Sequence, residues 1–160
     1  VQSFSKYFNM TGWRLGWLVV PPRFVRGIEK LAQNLFISPS AAAQHAALAA
    51  FAPATISILE ERRREFQKRR DFLAPALENL GFHFPARPQG AFYLYADCSQ
   101  LANDSARFAG ELLESAGVAA TPGLDFGSNR PEKHLRFAYT SGTERLAEAV
   151  DRIRRFLGQA

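Results

Sequence analysis

Apolar residues recur along this chain in two rhythms, and the change between them marks its organisation. Val1 to Ser5 is predicted as a short strand. Leu15 to Val20 is a nearly continuous apolar run, of the kind that fills a strand buried on both faces, and Pro21-Pro22 ends it. Phe24, Ile28, Leu31 and Leu35 then fall on one face at helical spacing. Proline is well placed at the start of that helix, because the N–H it lacks would have no partner there. Ser38-Pro39 predicts a second helix start, with Ser38 as N-cap and Pro39 in first position. The alanine-rich stretch Ser40 to Phe51 is expected to pack closely against a neighbour, and Pro53 breaks it. From Ala54 to Leu80 the spacing predicts the longest helix, with Leu59, Phe66, Leu73 and Leu80 every seven residues and Pro75 as a kink or break. Its narrow apolar stripe, flanked by many charges, reads as a connector between two packed bodies. Gly81 is its natural stop.

Beyond Gly81 the elements shorten. Phe82 to Pro85, Gly90 to Ala96, Val118 to Ala120 and Leu135 to Tyr139 are predicted strands. Asn103 or Asp104 caps a helix reaching Ala116, with Phe108, Leu112 and Leu113 inward and Gly117 at its end. Thr121 to Gly127 is predicted as a loop. Ser141-Gly142-Thr143-Glu144 has capping-box spacing ahead of a helix that places Leu146, Val150, Ile153 and Leu157 on one face. The pattern describes an α/β chain in two parts. Residues 1–53 read as the edge of a larger strand-and-helix body, and residues 54–160 as the long helix with a compact α/β unit. The first part is too small for a doubly wound sheet, so upstream sequence is expected to complete it. The first residue, which is not methionine, fits that expectation.

Composition narrows the chemistry. The chain has 160 residues, 47% hydrophobic and 22% charged, enough for one real core. No apolar run approaches the ~20 residues of a membrane span, and no signal segment opens the chain. The single cysteine, Cys98, rules out an internal disulfide and a multi-cysteine zinc site, and fits a cytoplasmic protein. His45, His83 and His134 have no ligand spacing, so no metal is expected. The net charge of +5 resides largely in the segment from Glu60 to Asp71, where acids interleave with bases. That arrangement reads as a solvated helix face rather than a nucleic-acid arm.

The chemistry-bearing stretch is Val1 to Trp17. Lys6 lies among Phe4, Tyr7, Phe8 and Met10, and a charged lysine buried by such neighbours is costly. Burial would lower its pKa and supply a neutral amine that condenses with an aldehyde to a Schiff base. Arg14, eight positions later, offers a planar cation for a phosphate, and Ser3 and Ser5 add hydroxyls. An aldehyde and a phosphate together are what pyridoxal 5'-phosphate presents. Gly12 and Gly16 are expected where backbone passes close by. Arg136 stands midway along the apolar Leu135 to Tyr139 strand. Such an arginine needs an answering carboxylate, either a buried Asp or Glu or a carboxylate from outside.

The run Ser3-Phe4-Ser5-Lys6, with Phe8, Met10-Thr11-Gly12-Trp13-Arg14 and Gly16, resembles the lysine signature of class I/II aminotransferases, the aspartate aminotransferase group of fold-type I pyridoxal-phosphate enzymes. Pro122-Gly123, Phe126-Gly127, Gly90-Ala91-Phe92-Tyr93 and the Arg136 strand follow in the order of that family, as does Arg69-Arg70-Asp71, read as structural. The resemblance spans the whole chain but only the second half of a family member. It implies an aminotransferase that moves an amino group from an amino acid to a 2-oxo acid. Lys6 would be Schiff-base and proton-carrying residue, Arg14 and Ser3 would bind the cofactor phosphate, and Arg136 would bind the substrate α-carboxylate; Ser5, beside the lysine, reads as a second cofactor-binding residue, a neighbour of the phosphate or of the lysine. Phe92 and Tyr93 read as core. The resemblance further implies a homodimer. It places the groups that tune the cofactor ring upstream of Lys6, so the chain by itself is expected to be inactive or nearly so. Two other readings stay open on the same scaffold: a pyridoxal-phosphate β-lyase, and the aminotransferase-like effector domain of a transcription regulator.

Overall fold

The structure, a computed structural model, describes residues 1–159. It divides into two compact units, Val1–Arg63 and a second from Arg64 onward. In the first, strands β1 (Gln2–Ser3) and β2 (Gly16–Trp17) pair antiparallel, with Gln2 opposite Trp17 and Ser3 opposite Gly16. A Cβ on Gly16 would stand 2.7 Å from the Gln2 carbonyl oxygen, so this approach of two backbones requires glycine. Gly12 faces open space, contrary to the expectation of a close approach there. The Leu15 to Val20 run is not buried on both faces: Leu18 is half exposed and Val19 is 84% exposed. The ladder holds only these two strands, so nothing in it covers the run.

Helix α1 (Pro22–Leu35) begins at the predicted proline and buries none of its residues; its apolar face, including Phe24, Leu31 and Leu35, is exposed. Helix α2 (Ala41–Ala50) starts later than predicted. Ser40, not Ser38, is its N-cap, and Pro39 stays outside it. The chain turns at Ile37, which adopts a left-handed φ of 67°. The Gln44 side-chain amide then donates to the Pro39 carbonyl at 3.0 Å, tying the lead-in to the first turn. Ala47 and Ala50 pack with Phe4 and Met10 in a small core, where alanine lets the aromatic rings approach the helix. Helix α3 (Pro53–Glu78) starts at Pro53 and runs on through Pro75. A proline this near the C-terminal end deprives a single carbonyl, that of Asp71, of its helical partner, so the helix survives.

The second unit is built on a three-stranded antiparallel sheet in the order β3-β5-β4: β3 Tyr93–Asp97, β4 Thr121–Pro122 and β5 His134–Ala138. The expected strand at Val118 to Ala120 does not form; pairing begins at Thr121, inside the predicted loop, opposite Arg136. The predicted Phe82 to Pro85 strand is reduced to one bridge, His83 with Asp97. Strand alternation gives the sheet two faces. Leu94, Ala96, Leu135 and Phe137 point into the core, where Leu77 and Leu112 are fully buried. Tyr93, Tyr95, Thr121 and Arg136 share the opposite face, since Tyr95 and Thr121 both pair with Arg136.

Helix α4 (Ser105–Ala116) is capped by Asp104, whose carboxylate accepts from the Ala106 and Arg107 N–H groups, and it ends at a left-handed Gly117. Phe108 and Leu112 are buried as predicted, whereas Leu113 is half exposed. Helix α5 (Thr143–Phe156) buries Leu146, Val150 and Ile153, but its N-cap is Gly142 and no side chain caps it, so the capping box read at Ser141 does not form. The fold class is α/β, as the sequence predicts.

Candidate active site

The chemistry-bearing turn of the first unit is held by its own backbone. After β1, Phe4 N–H donates to the Leu15 carbonyl and Met10 N–H to the Phe4 carbonyl, each at 3.1 Å, closing the segment between the two strands. Asn9, at a left-handed φ of 56°, reverses the chain, and its N–H donates to the Lys6 carbonyl. Phe4 packs on Phe8, Trp17 and Phe51 with ring centroids 4.9–5.6 Å apart, which anchors the turn from below.

On this base, hydrogen bonds link the predicted phosphate-binding residues. The Ser5 N–H donates to Ser3 Oγ at 3.0 Å, and the Ser3 hydroxyl donates to Ser5 Oγ at 2.9 Å. The Ser5 hydroxyl therefore keeps its own proton to donate. Thr11 Oγ donates to the Ser5 carbonyl at 2.7 Å, and Arg14 Nη1 donates to the Thr11 carbonyl at 2.9 Å. Arg14 sits in the left-handed region, φ 52°, a conformation uncommon for a residue with a side chain. Its side chain is exposed, and among the described residues no carboxylate pairs with it. The first acidic residue of the chain is Glu29, so Lys6 and Arg14 share a turn with no negative charge in its sequence. Thr11, not singled out from the sequence, is the joint between the serines and Arg14. It was legible only as part of the Met-Thr-Gly-Trp-Arg run.

One expectation fails here. Lys6 is exposed rather than buried among Phe4, Phe8 and Met10. The rings of Phe4 and Phe8 turn inward onto Trp17 and Phe51 and leave the lysine on the open side. Tyr7 is also outside, and its hydroxyl donates to Glu60 Oε1 at 2.8 Å. That hydrogen bond, with lesser contributions from burial and the Glu60 charge, raises the Tyr7 pKa above the ordinary phenol value.

Arg136 belongs to the second unit. Its neighbours answer the question left open by the sequence: it forms no ion pair with an Asp or Glu among the described residues. Its Nη2 donates to Thr121 Oγ1 at 3.4 Å, and its guanidinium lies over the ring of Phe126 at 4.3 Å and over that of Tyr93 at 5.3 Å. Tyr93, read from the sequence as core, instead faces this arginine and is 37% exposed. Strand alternation, with Tyr93 two residues from Tyr95 and Tyr95 opposite Arg136, was the signal that could have found it. The Tyr95 hydroxyl is raised in pKa by burial. Cys98 is fully buried, which pushes its thiol up to about 11 and leaves it without nucleophilic character at neutral pH. No group of three or more His, Cys, Asp or Glu among the described residues could hold a metal ion. No single helix among them is long and apolar enough to cross a membrane.

A lysine, two serine hydroxyls and an arginine with no carboxylate partner among the described residues lie on one turn of an α/β chain. The family model described as aminotransferase class I and II matches residues 1–153, and the chain belongs to that family. It is 39% identical to a valine–pyruvate aminotransferase of Mycobacterium tuberculosis, over 96% of this chain and 39% of that protein. It is 38% identical to an aspartate/prephenate aminotransferase of Thermus thermophilus, over 100% of this chain and 41% of that protein. Among solved structures, an aminotransferase from Mycobacterium tuberculosis superposes with a TM-score of 0.92 at 37% identity, over 99% of this chain and 41% of that one. Such neighbours are fold-type I aminotransferases, as the lysine signature implied. The chain spans about two-fifths of the length of the curated relatives it matches.

Proposed function

We propose that this chain supplies the lysine, the phosphate-binding groups and the substrate-carboxylate group of an aminotransferase that uses pyridoxal 5'-phosphate and transfers an amino group between an amino acid and a 2-oxo acid. The observation that carries the proposal is the turn from Ser3 to Arg14, where two serine hydroxyls and an arginine without a carboxylate partner are linked by hydrogen bonds around Lys6. These residues fit the cofactor. Arg14 supplies a full positive charge, and the Ser5 hydroxyl a spare proton, for a phosphate. Lys6, an exposed residue, would supply the amine for an aldehyde.

When bound, the cofactor supplies an aldehyde carbon and a conjugated ring that withdraws electrons from the substrate Cα. Lys6 would hold the cofactor through its Nζ, and the same amine would serve as general base for the Cα proton of the amino acid. Arg14, Ser3 and Ser5 would hold the phosphate and so orient the group toward Lys6. Arg136 takes the substrate carboxylate with its planar fork. The enzyme is proposed to be a cytoplasmic homodimer. Support for an interface comes from α1, whose apolar face is exposed from Phe24 to Leu35.

Full-length protein with added pyridoxal 5'-phosphate is expected to show a visible absorption band that borohydride abolishes. It should also transfer an amino group to a 2-oxo acid, and Lys6→Ala should lose both. A band that persists unchanged in Lys6→Ala would overturn the assignment of Lys6. Release of pyruvate and ammonia without an amino acceptor would assign elimination instead of transfer.

A further inference from the structure

Arg136 ends a continuous column of rings, and that column does more than fill space. At its base His134 is buried, and its Nδ1–H donates to the Arg130 carbonyl at 2.9 Å. Tyr95 stacks on the imidazole with ring centroids 4.8 Å apart and planes 2° from parallel. Phe126 meets Tyr95 edge-on at 6.0 Å and 88°, and lies 4.3 Å from the guanidinium carbon of Arg136. Tyr93 approaches the same guanidinium at 5.3 Å. The short helical turn Gly123–Asp125 presents Phe126, and the Phe126 N–H donates back to the Gly123 carbonyl at 2.9 Å. Gly123 pins that turn against the sheet, since an added Cβ would meet the Pro131 carbonyl oxygen and the Tyr95 hydroxyl.

Burial does not account for either ring that touches Arg136, because Phe126 is 42% and Tyr93 37% exposed. Among the described residues the arginine itself has one long hydrogen bond and no carboxylate partner. A long, flexible side chain in that state would sample many rotamers. Aromatic rings against a guanidinium attract it through their negative faces while leaving its in-plane N–H groups unused. We propose that Phe126 and Tyr93 are positioning residues that hold the Arg136 guanidinium in place before the substrate arrives, so that its N–H fork meets the incoming carboxylate already ordered. The proposal rests on the reading of Arg136 as the substrate-carboxylate group.

Ordering a flexible side chain in advance removes part of the entropy cost of binding, which corresponds to roughly a two- to tenfold gain in affinity. The test uses the full-length enzyme with its amino donor and with propionate, an unreactive carboxylate without a ring, as competitive inhibitor. Phe126→Leu and Tyr93→Leu are each expected to raise KM for the donor and the inhibition constant for propionate by roughly two- to tenfold. The value of kcat should stay within about twofold and the cofactor absorption band should be unchanged. Phe126→Tyr, which keeps the ring, should restore the native constants. Should Phe126→Leu fail to fold, Tyr93→Leu reads the same effect from the other side. Arg136→Leu separates the two levels of the argument. If Arg136→Leu weakens propionate binding and neither ring variant does, the positioning proposal is overturned while the reading of Arg136 stands. If Arg136→Leu leaves propionate binding intact, both are overturned.

Discussion

Replacing Gly123 by alanine tests how the loop that carries Phe126 is held. Gly123 is buried at the start of the Gly123–Asp125 turn. An added Cβ would stand 2.3 Å from the Pro131 carbonyl oxygen, 2.8 Å from the Tyr95 hydroxyl and 3.1 Å from His134 Cβ. A carbon and a carbonyl oxygen do not settle much closer than about 3.3 Å, so one of the two backbone segments must retreat by about 1 Å. Two of the three obstacles, the Pro131 carbonyl and the His134 Cβ, are fixed to backbone and cannot swing aside as a flexible side chain would. Overpacking of this kind costs about 1–3 kcal/mol. The lower chain entropy of unfolded alanine offsets about 0.4–1 kcal/mol of that. The net expectation is destabilisation of up to about 2.6 kcal/mol. Gly110→Ala is the matched control, because Gly110 lies inside α4 and an added Cβ would meet no heavy atom within 4 Å. There alanine should stabilise by about 0.8–1 kcal/mol through helix propensity. Urea midpoints followed by far-ultraviolet circular dichroism give both values, provided the m-values agree. The two substitutions are therefore expected to differ in sign. A Gly123→Ala protein at least as stable as the native one would refute the close-packing argument.

Elements that depend on local rhythm were legible in the sequence. The spacing of Phe108 and Leu112, and of Leu146, Val150 and Ile153, identified buried helix faces because a helix carries its periodicity within itself. The cap of α4 was legible as Asn103 or Asp104, because such a side chain just before an apolar rhythm suits an N-cap, and the fold gives the position to Asp104. Start positions were harder. Ser38 and Ser40 flank Pro39 and are equally good caps on paper; the left-handed turn at Ile37 gave the position to Ser40. Strands were harder still, because they exist only where a partner lies alongside. Val118 to Ala120 has the composition of a strand, but the register of β5 places Thr121 opposite Arg136 and pairs the residues after it. The Leu15 to Val20 run has the composition of a buried strand, and composition alone does not supply its cover.

The candidate site divides in the same way. The order Ser3, Ser5, Lys6, Arg14 was legible because one turn holds all four and short loops keep sequence neighbours close. Burial of Lys6 does not follow from its apolar neighbours, because adjacent side chains need not face the same way. Phe4 and Met10 turn into the small core while Lys6 turns out. Around Arg136 the residue itself was legible, as a charge in an apolar strand. Its surroundings were not, since Phe126 reaches it from a loop ten residues earlier in the chain and Tyr93 from a strand forty-three residues earlier. Those contacts come from the pairing of β3, β4 and β5, which only the folded chain specifies.

Two further predictions test the second unit. Tyr139 is buried, and its single hydroxyl proton is shared between the Gly90 and Ala91 carbonyls, each 3.1 Å away. Tyr139→Phe leaves both acceptors unanswered and should lower stability by about 1–3 kcal/mol in urea unfolding; an unchanged midpoint would show that the carbonyls find water instead. Asp97 provides a test in pH. Burial by itself would raise its pKa, but hydrogen bonds from Ser99, including the Ser99 N–H at 2.7 Å, and the positive charges of His134 and Arg130 outweigh burial and hold it below the ordinary value. A carboxyl with a folded pKa below its unfolded value, about 3.9, stabilises the folded state above that pH and loses the contribution as pH falls through the folded pKa. The stability gap between the native protein and Asp97→Asn is therefore expected to be full at neutral pH and to close as urea unfolding is repeated below about pH 4. A gap that widens with acid would mean that Asp97 is held protonated, reversing the balance of burial against hydrogen bonding and charge at this position.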